Sequence, residues 1–226
     1  MLLFRFRASI KSAKTELIWD RELDSTSGIA NALHSSGCLK FGSFQIKSGA
    51  LSPYYIDLAH LLASPQDFCT IVDIAVAEIE KLVSTQKIVK LASIELKGAL
   101  ILPSISCRVK VPCVIVRKRE KTYGATGRIA GADVVKGENV LFFDDVVSDG
   151  LSKVEGIKTL QNLGANVETI LVVVDREQGG KENLEKLGYK VYALAKISDI
   201  VVSLLRSKKI SEEHAYRILE YTKKGH

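Results

Sequence analysis

The segment Val140–Ser152 constrains the fold more than any other part of the chain. It consists of four apolar residues, two adjacent aspartates, two valines and a short polar turn that contains a glycine. The apolar run predicts a strand buried on both faces of a parallel sheet. Ser152 and Glu155 have the spacing of a helix-capping box. An apolar stripe of a following helix consists of Val154, Ile157, Leu160 and Leu163. The segment therefore predicts a strand–turn–helix unit of an α/β fold.

The predicted turn between this strand and helix has the properties of an anion site. Backbone N–H groups are free in the first turn of a helix, and the helix dipole favours negative charge there. Asp144 and Asp145 come directly before the turn, and paired carboxylates can bind sugar hydroxyls or a metal ion carried by a ligand. The alternative is an ordinary βα unit with a solvated pair of aspartates. Both interpretations remain open from this segment alone.

The same segment resembles the phosphoribosyl-pyrophosphate (PRPP) loop of the type I phosphoribosyltransferases. The resemblance implies that the two aspartates hold ribose hydroxyls and that the loop holds the 5′-phosphate. The implied PRPP-binding residues of this segment are Asp144, Asp145, Val146, Val147, Ser148, Asp149, Gly150, Leu151 and Ser152. Leu151 stands where the family often has a hydroxyl residue, and Asp149 adds a negative charge to the loop. Backbone donors can serve the phosphate if the Asp149 side chain points away from it.

Residues 41–57 form a second distinctive segment. Two alternating stretches flank a Lys-Ser-Gly turn at 47–49 and a Ser-Pro step, which predicts a β-hairpin-like element. The segment resembles the N-terminal hood of the orotate phosphoribosyltransferases. That resemblance implies that Lys47 reaches the pyrophosphate or the base, and that Tyr54 and Tyr55 line the base pocket. Without it, Lys47 is a solvated turn lysine and the tyrosines are ordinary strand aromatics.

Lys97 and Gly98 follow a strand predicted at 88–94. They match the end of the pyrophosphate loop of the same family, although residues 93–95 depart from its usual glycine–proline start. The resemblance implies that Lys97 binds the pyrophosphate of PRPP.

Residues 117–131 follow another predicted strand and contain five cations and three glycines. On their own they are a solvated basic loop. They also resemble the catalytic loop of the orotate phosphoribosyltransferases, whose basic positions correspond to Arg117, Lys118 and Lys121. Tyr123 stands where many bacterial members have histidine, so the resemblance implies an electrostatic role for this flap rather than acid–base chemistry by an imidazole.

Arg176 follows a continuous β-branched strand predicted at 167–174. Ligands of open α/β sheets bind beyond the carboxyl ends of the strands. The family motif aspartate–arginine–glutamine/glutamate–glycine implies that Arg176 binds the orotate carboxylate, and a guanidinium suits bidentate pairing. The alternative is a salt bridge with Asp175 or Glu177. The implied orotate-binding residues are Lys47, Tyr54, Tyr55, Ser148 and Arg176. The implied catalytic residues are Lys97, Arg117, Lys118, Lys121, Asp144 and Asp145.

Composition excludes several classes of protein. The 226 residues are 46% hydrophobic and 26% charged, which is typical of a folded globular domain. The net charge of +6 suits a polyanionic small substrate, and because cations concentrate only around 117–121 we expect no nucleic-acid partner. No apolar run approaches a membrane span, so we expect no membrane partner. The four cysteines lack metal-type spacing and a disulfide framework, which predicts reduced thiols and a cytoplasmic location.

The predicted organisation is an N-terminal extension of residues 1–24 and a phosphoribosyltransferase domain of residues 25–226. The hood is expected at about 25–60 and the core at about 61–226. The extension is basic early and acidic late. A mitochondrial-type presequence, an extra amphipathic segment and an artefact of the assigned start are the alternatives for it.

The resemblance covers residues 27–222 and implies the type I phosphoribosyltransferase fold, a mostly parallel α/β sheet flanked by helices with a small N-terminal hood. It also implies transfer of a phosphoribosyl group from PRPP to orotate, with Mg²⁺ bound mainly through PRPP and no dedicated metal ligands. A homodimer with shared active sites is expected, since the catalytic loop of the family reaches the neighbouring subunit. Two alternatives stay open: action on another nucleobase, and a non-catalytic regulator that senses PRPP.

Overall fold

The computed structural model describes residues 25–46, 49–121 and 127–223. Lys47, Tyr123 and the extension 1–24 lie outside the described residues. The backbone of Lys121 is described and its side chain is not. None of the described helices is both long and apolar enough to cross a membrane.

A six-stranded sheet forms the centre of the molecule. Its strands are β3 (Lys90–Ile94), β4 (Cys113–Lys121), β5 (Gly127–Gly131), β6 (Asn139–Val147), β7 (Asn166–Asp175) and β8 (Lys190–Lys196). They lie in the order β5-β4-β3-β6-β7-β8, and every neighbouring pair is parallel except the antiparallel pair β4–β5. β3 is buried along its whole length, as expected for a strand covered on both faces. The mostly parallel α/β sheet predicted from the sequence is therefore confirmed.

Helices cover both faces of this sheet. They are α2 (Pro65–Gln86), α3 (Lys97–Val109), α4 (Leu151–Asn162), α5 (Gly180–Lys186), α6 (Ile197–Arg206) and α7 (Glu212–Lys223). Phe143 packs into the core shared with α2, α3, α6 and α7, whereas its neighbour Phe142 packs into the core shared with α4 and α5. Successive strand residues point to opposite faces. The run Val140–Phe143 is apolar throughout because β6 contributes to both cores.

The N-terminal part of the described chain forms a smaller layer. It contains α1 (residues 25–35), the antiparallel strands β1 (Leu39–Gln45) and β2 (Leu51–Ile56), and a 3₁₀ helix over Leu58–Ala63. Ile29, Leu33 and Tyr54 are fully buried against the main core. The hairpin predicted at 41–57 is confirmed, and it packs against the sheet side that carries α7.

The start of α4 differs from the prediction. The helix begins at Leu151 after Gly150, whose φ of 83° is left-handed, and Gly150 as the N-cap residue has no side chain to cap the first turn. Ser152 therefore lies inside the helix, and Glu155 instead forms an ion pair with Arg128 at 2.7 Å. The predicted capping box is wrong. The buried face of α4 consists of Lys153, Gly156, Ile157 and Leu160, while Leu163 lies beyond the helix and is exposed.

Candidate active site

The predicted site residues converge at the carboxyl ends of three neighbouring strands. β3 leads into Lys97, β6 carries Asp144 and Asp145 near its end, and β7 leads into Arg176. The chain passes from β3 to β4 on one side of the sheet and from β6 to β7 on the other. The β3–β6 boundary is thus a topological switch point, where open α/β sheets bind their ligands.

Asp144 lies at this switch point and is only 5% exposed. Its Oδ2 accepts a hydrogen bond from Lys153 Nζ at 2.6 Å, and its Oδ1 accepts one from the backbone N–H of Asp145 at 2.9 Å. Lys153 is 3% exposed, and its Nζ also donates to the carbonyl oxygen of Val146 at 2.6 Å. The carboxylate thus has fixed partners on both oxygens.

Gly98 explains how α3 approaches this carboxylate. A Cβ at Gly98 would lie 2.5 Å from Asp144 Oδ1, 2.5 Å from Ser93 Oγ and 2.8 Å from the Cα of Asp144. A side chain at this position would therefore collide with backbone as well as with side-chain atoms. Glycine lets the first turn of α3 enclose Asp144 from one side while Lys153 encloses it from the other.

Asp145 has a different environment from its neighbour. It is partly exposed. Burial, followed by the negative charge of Asp144, raises the pKa of Asp145 to about 7, and the charge of Lys153 opposes this only in part. Two adjacent carboxylates whose surroundings differ in this way can perform different tasks. Asp144 has a lysine as its partner, whereas the protonation of Asp145 responds to pH near neutrality.

The predicted phosphate loop follows at the end of β6. The side chain of Asp149 turns back onto the loop, where its Oδ1 accepts a hydrogen bond from the backbone N–H of Leu151 at 3.0 Å. One backbone donor of the loop is therefore already bound. On its other side the loop packs closely against the first turn of α5. Only a glycine fits at position 180, since a Cβ there would overlap the backbone carbonyl of Ser148.

Lys97 lies between the hood and the core. Its Nζ is 3.1 Å from Asp57 Oδ1 and 5.7 Å from the centroid of the Tyr55 ring. Burial lowers the pKa of Lys97, but the hydrogen bond to Asp57 and the charge of Asp145 raise it by more. Asp57 was not predicted from the sequence. It also accepts a hydrogen bond from the backbone N–H of Ala59, which fixes it at the start of the 3₁₀ helix.

The cations of the predicted flap belong to the β4–β5 hairpin. Arg117 Nη1 donates to the carbonyl oxygens of Gly127 and Ile129, both at 2.9 Å, so its guanidinium holds the hairpin together. The backbone N–H of Lys118 donates to Glu95. Arg128, which sequence reasoning missed, donates to the carbonyl oxygens of Arg117 and Lys118. The structure therefore joins Arg117 to β5.

Arg176 contacts the hood across a sequence separation of 122 residues. Its Nε donates to the Tyr54 hydroxyl at 3.2 Å, its Nη2 lies 3.5 Å from Ser52 Oγ, and its Cζ is 4.8 Å from the Tyr54 ring centroid. The acidic neighbours of Arg176 bond elsewhere: Asp175 accepts from the backbone N–H of Glu177, and Glu177 accepts from that of Ser198. The structure supports the hood contact over the alternative salt bridge.

Tyr54 and Tyr55 divide between the two halves of the site. Tyr54 is fully buried and faces Arg176, whereas Tyr55 is partly exposed and faces Lys97. This division follows from the strand geometry of β2, in which successive side chains point to opposite sides. Both residues predicted for the base pocket are thus beside a predicted site cation.

In the described part of the chain, no group of three or more histidine, cysteine, aspartate or glutamate side chains could hold a metal ion. Mg²⁺ is commonly held by one or two carboxylates together with substrate phosphates and water. Asp144 and Asp145 offer such oxygens, although one oxygen of Asp144 is bound to Lys153.

Comparison with solved structures identifies the class of protein to which this fold belongs. The chain superposes on the UMP synthase of Leishmania donovani with a TM-score of 0.80 and 31% identity, over 96% of this chain and 46% of that one. It superposes on the orotate phosphoribosyltransferase of Aeropyrum pernix with a TM-score of 0.67 and 25% identity, over 81% of this chain and 99% of that one. The fold is that of a type I phosphoribosyltransferase.

Sequence comparison narrows this class to a family. No protein-family profile matches the chain. Over 172 residues the chain is 38% identical to the orotate phosphoribosyltransferase of Pyrococcus horikoshii, which covers 76% of this chain and 91% of that protein. The chain belongs to the orotate phosphoribosyltransferase family.

Proposed function

We propose that the protein transfers the phosphoribosyl group of PRPP to orotate, giving orotidine 5′-monophosphate and pyrophosphate. The observation that carries this proposal is the meeting of Lys97, the Asp144–Asp145 pair and Arg176 at the carboxyl ends of adjacent strands. They offer, in order across the sheet, a cation for pyrophosphate, carboxylates for ribose hydroxyls and a guanidinium for a base carboxylate. Family membership supports the same assignment.

The chemistry requires charge stabilisation more than proton transfer. Cleavage of the glycosyl–pyrophosphate bond builds positive charge on the ribose and negative charge on the leaving group. Asp144 and Asp145 would hold the ribose hydroxyls and favour the cationic sugar. Lys97, with Lys118 and Lys121 of the flap, would stabilise the pyrophosphate. Arg117 would contribute through the hairpin that it holds together, and closure of that hairpin would exclude water.

The remaining residues would hold the two ends of the substrates. Residues 148–152 would bind the 5′-phosphate, with Val146 and Val147 as the strand end from which the loop leaves. Orotate would lie between Arg176 and the hood tyrosines, and Lys47 and Ser148 would complete its pocket. Mg²⁺ would neutralise the pyrophosphate and would be held mainly by PRPP. We expect a cytoplasmic location, since all four cysteines are free thiols.

A spectroscopic assay tests the assignment of substrate. Purified protein with PRPP and Mg²⁺ should consume orotate, measured as loss of its ultraviolet absorbance, and a chelator should stop the reaction. Arg176→Ala should lower kcat/KM for orotate by about 1.5–3 kcal/mol, the value of a hydrogen bond to a charged group, and should leave PRPP binding nearly unchanged. Turnover of adenine, hypoxanthine or uracil without turnover of orotate would contradict the proposal.

We also propose a homodimer whose active sites are shared through the flap. The flap begins at Arg117 on β4, one residue after the pairing of β4 with β3 ends at Val116. The test refolds two inactive variants together, Asp144→Asn/Asp145→Asn and Lys121→Ala. If the flap acts on the neighbouring subunit, random mixing should restore roughly a quarter of the sites in a two-fold assembly. Mixed dimers without recovered activity would rule out sharing.

A further inference from the structure

Lys153 is a buried cation whose presence needs an explanation. Lysine is rarely buried completely unless it is paired, and Lys153 lies on the face of α4 that also buries Gly156, Ile157 and Leu160. Its amino group reaches two oxygens at 2.6 Å, one from Asp144 and one from the backbone of Val146. Both acceptors belong to the end of β6, from which the proposed phosphate loop leaves.

A second buried lysine shows what is particular about this position. Lys90 is 6% exposed, and its Nζ bonds to Glu138 Oε2 at 2.5 Å and to the carbonyl oxygen of Asp133. Its partners are thus of the same kinds as those of Lys153. Lys90 stands at the first residue of β3, however, at the opposite end of the sheet from the site. Lys90 therefore stabilises the fold away from the ligand and is a matched control for Lys153.

The surroundings of Asp144 indicate what Lys153 does. Two adjacent carboxylates in a buried site repel each other, and burial alone disfavours the charged form of each. Lys153 supplies the compensating charge to Asp144 through Oδ2. The other oxygen, Oδ1, lies toward Gly98 and the backbone N–H of Asp145. The hydrogen bond from Lys153 thus fixes which oxygen of this carboxylate faces α4 and which faces α3.

We propose that Lys153 is a positioning residue for PRPP: its hydrogen bond holds the carboxylate of Asp144 in the orientation that accepts hydrogen bonds from the ribose hydroxyls. Its second bond, to Val146, joins that carboxylate to the start of the phosphate loop. Ribose and 5′-phosphate contacts are then set by one side chain. This inference rests on the proposed function for the identity of the ligand. Its test uses binding of PRPP alone, which requires no turnover of orotate.

The experiment measures PRPP binding by titration calorimetry with Mg²⁺ and without a base. Lys153→Met, which keeps the length of the side chain and removes its charge, should weaken binding roughly 10- to 100-fold, the range expected for loss of a hydrogen bond to a charged group. Lys153→Arg keeps the charge and should stay within about fivefold of the wild type. Lys90→Met, checked by circular dichroism, should lower thermal stability and leave PRPP affinity within about twofold.

A double variant keeps the test decisive if Lys153→Met fails to fold. Asp144→Asn/Lys153→Met removes both charges, which is often tolerated when one charge alone is not. If Lys153 acts through Asp144, the double variant should bind PRPP within about threefold of Asp144→Asn. Additional weakening of about tenfold would mean that Lys153 acts on the ligand directly and would overturn the inference.

Two other results distinguish a failure of this inference from a failure of the proposed function. A folded Lys153→Met variant with wild-type PRPP affinity overturns the role of Lys153 and leaves the proposed function intact. A wild-type protein that binds no PRPP contradicts the proposed function itself. If the wild type binds PRPP and does not use orotate, the role of Lys153 can still be confirmed or rejected from binding alone.

Discussion

Two lysine–aspartate pairs in the site differ mainly in burial. Lys153 and Asp144 lie 2.6 Å apart with side chains 4% and 7% exposed, whereas Lys97 and Asp57 lie 3.1 Å apart with side chains 34% and 24% exposed. A buried charge cannot lose its partner without a large desolvation cost. A partly exposed pair contributes little and is screened by solvent. The first pair is therefore a fixed part of the proposed ribose site, and the second leaves its lysine able to change partner.

The surroundings of Lys97 support this difference. Burial raises the pKa of Asp57, but hydrogen bonds from Lys97 and from the backbone N–H of Ala59 lower it by more. The pKa of Lys97 responds to the charge of Asp145 as well as to that of Asp57. Lys97 thus interacts electrostatically with Asp57 of the hood and with Asp145 of β6. A pyrophosphate that arrives with more negative charge than either would attract it away from Asp57.

The largest expected effect is on the free energy of unfolding, which should fall much more when the Lys153–Asp144 pair is broken than when the Lys97–Asp57 pair is broken. Asp144→Asn leaves the buried ammonium of Lys153 without its ion-pair partner and should lower the free energy of unfolding by about 3–5 kcal/mol. Asp57→Asn keeps an oxygen for the N–H of Ala59 and should cost less than about 1 kcal/mol. Urea unfolding at neutral pH measures both. Equal losses in the two variants would show that burial does not distinguish the pairs.

The next prediction concerns the lysine that can change partner. Lys97→Met should weaken PRPP binding by about 1.5–3 kcal/mol because the pyrophosphate loses a charged donor. Asp57→Asn should change the same affinity by less than about 1 kcal/mol, since it removes only the resting partner of Lys97. Calorimetric titration with PRPP compares the two variants. If Asp57→Asn weakens binding as much as Lys97→Met, then Asp57 positions Lys97 for the pyrophosphate. The proposed exchange of Asp57 for pyrophosphate as the partner of Lys97 would then be wrong.

The smallest expected effect is the pH dependence of Asp145. Its pKa is raised from 3.8 to about 7 in the folded protein, so the folded state binds this proton more tightly than the unfolded state. The free energy of unfolding should therefore fall as pH rises between about 4 and 7, on the order of 2 kcal/mol for a partly exposed group.

Denaturation of the ligand-free protein at pH 5 and pH 8 gives this slope. Asp145→Asn should flatten it, although burial also raises the pKa of Asp175, which adds a slope of the same sign in both proteins. An unchanged slope in Asp145→Asn would assign the whole effect to other groups.

Much of the fold follows from sequence because local patterns and tertiary burial agree. The strands predicted at 167–174 and 88–94 correspond to β7 and β3. The aspartate pair and Arg176 could be found because strand ends in parallel sheets are where ligands bind. These predictions depend on short stretches of chain whose structure is fixed by their own periodicity.

Lys153 and Asp57 could not be found in the same way. With Ser152 as the cap, the predicted helix starts two residues too late, and its apolar stripe begins at Val154, which leaves Lys153 outside the predicted buried face. A signal existed: Lys153, Gly156, Ile157 and Leu160 have i, i+3, i+4 and i+7 spacing. Asp57 gives no such signal, because its partner Lys97 is brought near it only by packing of the hood on the core.

The strand order sets the distance between the strand ends that carry the proposed site. β3, β6 and β7 are consecutive in the sheet, and neighbouring strands lie about 4.8 Å apart, so the backbone positions at their carboxyl ends span about 10 Å. Hydrogen bonds between backbones fix this span, and the side chains reach out from it. A molecule can therefore contact side chains from all three strand ends only if its own polar groups lie within reach of a row of that length.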